Sequence, residues 1–388
     1  LLFSNHDHTY ANTTQEGSPR IDANPLLALE ELAKQVAKSG VRVVRGEILI
    51  DDQLFPVAHA TGTGPELVTP IMVNDNVLDI IVTPAKKPGE LANVQFSPKT
   101  EFYQMDALVN TIESGQDNRF ALQVVGPNQF TVRGEIAVNS KPMEKIFPVV
   151  EPTLFARTLF IEQLRKQGIR VTAPLLRPNR LDLPMRDEKL TQVAMFRSAP
   201  FSEVVRVTLK VSHNLYASEM PVLIATRHQK HSIEEGLFQE AKYLKQLDVP
   251  VNTISLGSGA GGGNVDSVTP VSAVKLFQGM SKRPEWDAFV NALPILGVDG
   301  TLASAVNSSS PAKGKVRGKT GTLVWSDPLN GRLLVRSKSL AGVMETAKGT
   351  QLYYAIYMNN VPLPEDAAAS REGKVIGKLC EIIYENGP

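Results

Sequence analysis

Along the first half of the chain, hydrophobic positions fall into two helix–glycine–strand blocks. After Asn24-Pro25, apolar residues recur at Leu26, Leu29, Leu32, Val36 and Ala37, a spacing that predicts an amphipathic helix. Ser39-Gly40 supplies its stop, and the run from Val41 to Ile50 predicts a strand. The block recurs when Pro152 opens a helix carrying Leu154, Leu159, Ile161 and Leu164. Gln167-Gly168 closes that helix, and Ile169-Arg170-Val171 reads as strand. Between the blocks the period shortens to two. Residues 78–83 alternate weakly, and 120–125 and 130–138 predict strands joined by the turn Gly126-Pro127-Asn128. The expected organisation is an inserted α/β subdomain at 1–82 and 139–190, with a small β-rich subdomain at 83–138 within it.

From about residue 191 the pattern changes. Ser202 is placed to cap a helix bearing Val204, Val205, Thr208 and Leu209. Residues 234–247 form a further amphipathic helix, and Thr269-Pro270 opens another after the Gly-rich stretch 255–263. Strands are predicted from Lys319 onward, at 332–335 and at 351–358, followed by a last helix around Cys380. Residues 191–388 thus read as a mixed α/β (α+β) domain, with helices packed on an antiparallel sheet.

Composition narrows the function classes. A length of 388 residues asks for two or three domains, and 42% hydrophobic residues support packed cores. A net charge of +1, without a basic run carrying aromatics, excludes a nucleic-acid-binding face. No apolar stretch approaches a membrane span. A lone cysteine, Cys380, excludes an internal disulfide framework and reads as a buried apolar residue. The chain starts Leu1-Leu2-Phe3 without a basic n-region, so it carries no intact signal peptide and reads as starting inside a longer protein.

Candidate chemistry gathers at two places. Ser212-His213-Asn214 puts a hydroxyl and an amide two residues apart on a short loop between helices, where both can face one cleft. Lys319-Thr320-Gly321-Thr322 puts a cation and two hydroxyls at the head of a strand. Alone, the first is an ordinary helix-terminus turn and the second is a short motif. In this order they are two of the three signatures of serine acyl-enzymes that recognise penicillin. His6-Asp7-His8 and the pair His228 and His231 do not complete a ligand set, so no metal is expected, and nothing in the chain implies a cofactor.

Around these motifs the chain resembles the low-molecular-mass penicillin-binding proteins of the D-alanyl-D-alanine carboxypeptidase/endopeptidase family, in their class C form with a large insertion. The resemblance rests on Ser212-His213-Asn214-Leu215-Tyr216-Ala217, Gly257-Ser258-Gly259, Thr269-Pro270, Lys319-Thr320-Gly321-Thr322-Leu323 and Ala355-Ile356-Tyr357-Met358-Asn359-Asn360. Asp51-Asp52-Gln53-Leu54-Phe55 and Val73-Asn74-Asp75-Asn76 extend it into the front half. Leu256 departs from the family's usual Asp before Gly-Ser-Gly. The resemblance implies a penicillin-binding, β-lactamase-like transpeptidase domain that hydrolyses peptidoglycan stem peptides through an acyl-enzyme. Catalytic residues would be Ser212 as proton relay, Asn214 as the binder of a substrate amide, and Lys319 as local positive charge. Thr320, Gly321 and Thr322 would bind substrate, with the two hydroxyls on its terminal carboxylate and the Thr322 N–H in the oxyanion hole. Beta-lactams would be ligands of the full-length protein, and its location would be extracytoplasmic, periplasmic or secreted.

The resemblance also implies a nucleophilic Ser-x-x-Lys ahead of Pro25, which the chain does not contain. The chain by itself is therefore expected to be inactive. Two Ser-x-x-Lys matches, at Ser272 and Ser310, follow Ser-x-Asn and so stand in the wrong order for a nucleophile. The alternative reading is a non-catalytic cell-wall-binding or scaffold protein of the same fold. Carboxypeptidase against endopeptidase action, the diamino acid of the stem and oligomeric state, a homo-oligomer included, are left open.

Overall fold

The computed structural model describes residues 24–59, 67–176, 191–263, 265–364 and 370–388. Their contacts group them in two compact units. The first takes the described residues of 22–53 and 71–198, and the second those of 54–70 and 199–388.

In the first unit, helix α1 (Leu27–Lys38) buries Ala28, Leu29, Ala33 and Val36, close to the expected stripe. The Asn24 side chain holds its entrance by accepting from the Leu26 N–H and donating to Glu30. Strand β1 is only Val43–Val44, shorter than the expected run to Ile50. Gly46 turns the chain at φ +105, and Arg157 captures the next two residues. Five strands follow: β2 (Val77–Thr83), β3 (Asn93–Ser97), β4 (Gln104–Ile112) and the hairpin β5 (Arg119–Gly126) with β6 (Gln129–Ala137). Strand β7 (Met143–Pro148) returns to pair with β2. The resulting sheets run β3-β2-β7 and β4-β6-β5. Helix α2 (Pro152–Lys166) opens on proline, and β8 (Arg170–Val171) lies parallel to β1.

One core joins the β-rich stretch to the helices. Phe102, Tyr103, Phe130 and Phe147 pack with Phe155 and Leu159 of α2 and Leu29 of α1. The rings meet largely edge to face, with Phe102 and Tyr103 centroids 4.8 Å apart. Arg157 of α2 is fully buried. Its guanidinium donates to the carbonyls of Ile48, Pro174 and Leu175 and to the Glu47 carboxylate at 2.7–3.0 Å. It therefore ties two separate chain segments, 47–48 and 174–175, to one helix.

The second unit is built on an antiparallel meander of β9 (Val316–Asp327), β10 (Arg332–Glu345) and β11 (Gln351–Pro362). Before it come helices α3 (Phe201–Val211), α4 (Asn214–Arg227), α5 (Ile233–Gln246), α6 (Pro270–Met280) and α7 (Trp286–Ala292). Helix α8 (Ser370–Asn386) follows it. One sheet face, through Leu340, Met344 and Tyr354, packs on Ile376 and Cys380 of α8. The other, through Val343 and Tyr353, packs on Phe277, Trp286 and Phe289. Cys380 is fully buried, and burial pushes its thiol pKa up to about 12.

Two local details differ from expectation. The α3 cap is Pro200, whose extended backbone (φ −53, ψ 147) starts the helix, so Ser202 lies within the first turn. Strands β10 and β11 run well past the predicted cores, because pairing across the sheet extends them from Arg332 to Glu345 and from Gln351 to Pro362. Among the described residues, no helix is long and apolar enough to cross a membrane.

Candidate active site

The site begins at the α3–α4 junction. Helix α3 ends at Val211, and Ser212 takes the left-handed conformation (φ 59, ψ 53), which L-residues with a side chain seldom adopt. That single residue reverses the chain, so α4 can start at Asn214. His213 caps α4: its Nδ1 accepts from the Tyr216 N–H at 3.4 Å, and its ring stacks on Tyr216 with centroids 3.9 Å apart. Its 3% exposure marks it as packed between the two half-buried residues that flank it.

Strand β9 brings the second motif. Lys319 Nζ donates to Ser212 Oγ at 2.7 Å and to the Thr320 carbonyl at 2.7 Å, closing a span of 107 residues. The half-buried residue places its ammonium where water cannot solvate it well, and this burial lowers its pKa to about 8. Ser212, Asn214, Lys319, Thr320, Gly321 and Thr322 all line one cavity of about 620 Å³. Ser212 and Lys319 form a pair that can pass a proton, since the hydroxyl can give and take hydrogen bonds while an ammonium whose pKa is lowered to about 8 gives up a proton more readily than a free lysine. At Gly321 a Cβ would lie 2.5 Å from Ser339 Oγ, so any side chain there would turn that hydroxyl aside.

Supporting contacts hold the two threonines. Thr320 Oγ1 lies 2.7 Å from Thr301 Oγ1, and Thr301 sits in the short turn Gly300–Leu302. Asp299, at the head of that turn, pairs with the buried Lys210 at 2.6 Å. Burial presses the Lys210 pKa down while Asp299 opposes it. Lys338 Nζ donates to Thr322 Oγ1 at 2.7 Å. The cavity's far wall is the Gly-rich stretch, pinned by Asp266, whose two oxygens accept from the Gly257 and Gly263 N–H groups at 2.7 Å each. Glu240 of α5 also lines it, and burial raises that carboxyl to about 7.

The two Ser-x-x-Lys serines lie elsewhere. Ser272 is 1% exposed in the first turn of α6, with its hydroxyl 2.6 Å from Thr253 Oγ1 and 2.9 Å from Thr269 Oγ1. Ser310 is in a turn whose carbonyl accepts from the Lys313 N–H. Neither lines the cavity. His228 and His231 are exposed, and His6-Asp7-His8 lies outside the described residues. Lys210, Lys338, Thr301, Asp266 and Glu240 were not singled out from sequence. Asp299 sits beside Gly300 and Asp266 follows the glycine run three residues after Gly263, both turn signals; nothing local marks the two lysines, which reach the site only through tertiary packing and strand register.

Compared with known proteins, the chain matches the D-Ala-D-Ala carboxypeptidase 3 (S13) family over residues 8–378. The chain belongs to that family. A curated relative, a D-alanyl-D-alanine carboxypeptidase from Actinomadura sp., is 27% identical over 337 residues. That match covers 81% of this chain and 61% of the relative. The D-alanyl-D-alanine carboxypeptidase DacB of Haemophilus influenzae is 23% identical over 348 residues, 85% of this chain and 68% of the relative. The carboxypeptidase 3 family chain therefore spans about two thirds of the length of these relatives. Its fold is similar to the crystal structure of penicillin binding protein 4 (dacB) from Haemophilus influenzae, with a TM-score of 0.70 and 20% identity, covering 92% of this chain and 79% of that one. The fold class is thus the mixed α+β penicillin-binding architecture.

Proposed function

We propose that the full-length protein is a serine-type D-Ala-D-Ala carboxypeptidase or endopeptidase that cleaves peptidoglycan stem peptides through an acyl-enzyme, outside the cytoplasm. The observation that carries this reading is the 2.7 Å bond from Lys319 Nζ to Ser212 Oγ inside the shared cavity of a carboxypeptidase 3 family chain. Acyl transfer needs a proton path to the leaving amine, a group that holds the substrate amide, and preorganised donors for developing negative charge. Ser212 serves the first need, Asn214 the second, and Lys319 with the Thr322 N–H the third. Thr320 and Thr322 take the terminal carboxylate of the peptide. Beta-lactams, which mimic the D-Ala-D-Ala end, are the proposed inhibitors; the related Haemophilus influenzae protein has a crystal structure in complex with one.

Two measurements test this. Full-length protein incubated with a D-Ala-D-Ala peptide should release D-alanine, and labelled penicillin should add one penicilloyl group per chain. A folded protein that does neither, yet sediments with isolated cell walls, would instead be a wall-binding scaffold. The 388-residue chain by itself should take up no stable penicilloyl group, since neither Ser272 nor Ser310 lines the cavity. An adduct on either serine would overturn the role assignment.

A further inference from the structure

Lys338 lies on β10 directly across from Thr322 on β9. On a two-stranded antiparallel stretch such a pair shares one face, here the face that also carries Leu340 and Met344 toward α8. The lysine side chain runs beneath the first turns of α8, where a Cβ on Gly373 would lie 3.5 Å from its Cε and 3.7 Å from its Nζ. Helix and strand therefore confine the ammonium. Among the described residues its hydrogen-bond partner is Thr322 Oγ1, at 2.7 Å. Burial presses its pKa down and the charge of Glu372 opposes that shift.

The direction of this bond has a chemical consequence. An ammonium only donates, so the Thr322 oxygen must accept from it. The Thr322 hydroxyl hydrogen is then left to point away from Lys338. Thr322 is among the residues that line the cavity, and a group bound there is the partner assigned here to that hydrogen. The complement of a committed donor backed by a positive charge is an anionic acceptor. A carboxylate accepts and carries the opposite charge, whereas a carboxamide carries no charge to meet the lysine's and an ammonium carries the same sign. Thr320 lacks such a commitment, since in its contact with Thr301 either hydroxyl can donate.

We propose that Lys338 is a positioning residue that locks Thr322 as a hydrogen-bond donor and thereby selects peptides ending in a free carboxylate. Lys338 acts through Thr322 and touches no reacting atom. The inference rests on the peptidase reading for what enters the cavity, and it specifies the substrate end. Removal of a terminal residue is favoured over cleavage of a cross-link that lacks a carboxylate at that position.

The test uses full-length protein with Lys338→Met, which keeps the stem and removes the charge, and Lys338→Arg, which keeps the charge. Two peptides differ only in ending as D-Ala-D-Ala acid or D-Ala-D-Ala amide. The wild type should prefer the acid, and Lys338→Met should lower kcat/KM for the acid about tenfold, mainly through KM, while changing the amide less than twofold. Lys338→Arg should restore most of the preference. Loss of both substrates in parallel would make Lys338 merely structural and overturn the proposal, as would an unchanged preference in Lys338→Met. Calorimetric binding of N-acetyl-D-alanine against N-acetyl-D-alaninamide gives a readout independent of turnover. A wild type that binds the acid through Lys338 but releases no D-alanine would refute the peptidase reading and leave the selectivity intact. Equal binding of acid and amide would refute the selectivity itself.

Discussion

Lys319 and His213 both stand in the cavity wall, but their surroundings assign them different work. The histidine is packed on Tyr216 and bonded to its backbone, whereas the lysine holds the Ser212 hydroxyl. In the full-length protein, Lys319→Ala should lower kcat/KM on a D-Ala-D-Ala peptide by roughly two to three orders of magnitude, comparable to losing one preorganised donor. His213→Ala should lose far less, and equal losses at unchanged stability would place the ring on the proton path. The pKa of about 8 adds a pH signature. If the transition state uses the ammonium, kcat/KM falls as pH rises through about 8. For stability the sign is opposite. Between pH 8 and the ordinary lysine value of 10.5, the unfolded chain holds a proton the folded chain has lost, so this group's contribution becomes more favourable with rising pH. Below pH 8 its desolvation penalty is at its full size. Lys319→Met should therefore hold or raise Tm at pH 7 while activity collapses, a pairing that thermal melts and kinetics on one preparation can check.

At the scale of elements, helices α4 and α5 depend on one missing side chain. A Cβ on Gly236 would lie 1.8 Å from the Pro221 carbonyl oxygen. Pro221 sits inside α4, so the two helices touch at backbone distance there. Gly236→Ala should destabilise the second unit by about 3 kcal/mol, the upper range for overpacking, as read by urea unfolding. The same helices carry Met220 and Glu240 into the cavity wall, so penicillin acylation of the full-length protein should slow as well. Much of this level was legible beforehand. The stripes that marked α1, α2 and α5 appear within a few residues of their predicted ends, and the Gly126-Pro127-Asn128 turn does join β5 to β6. The site motifs were legible because Ser212 with Asn214, and Lys319 through Thr322, are each contiguous in sequence. The lysine that faces Thr322 was not, because Lys338 reaches it through a register that only the folded sheet defines. Strand β1 was overread for the same kind of reason: Arg157, far along the chain, claims the backbone that local propensity had offered to a strand.

For the whole molecule, each unit has its own core, and each exposes a different vulnerability. In the first, Arg157 is buried with four oxygen partners drawn from residues 47–48 and 174–175. Arg157→Ala would leave three carbonyls unsatisfied and should cost about 3–5 kcal/mol, as for breaking a buried ion pair. Hydrogen exchange in α2 should report it, and unchanged protection there would mean that water replaces the guanidinium without loss. In the second unit, the fully buried Cys380 is the chain's lone thiol. With its pKa near 12 and no exposed surface, it is unreactive while α8 stays seated on the sheet. Any alkylating reagent must therefore wait for that helix to lift. The protein carries its own clock for opening at the α8 face of the sheet, readable by mass as a single added label, with no residue introduced to read it.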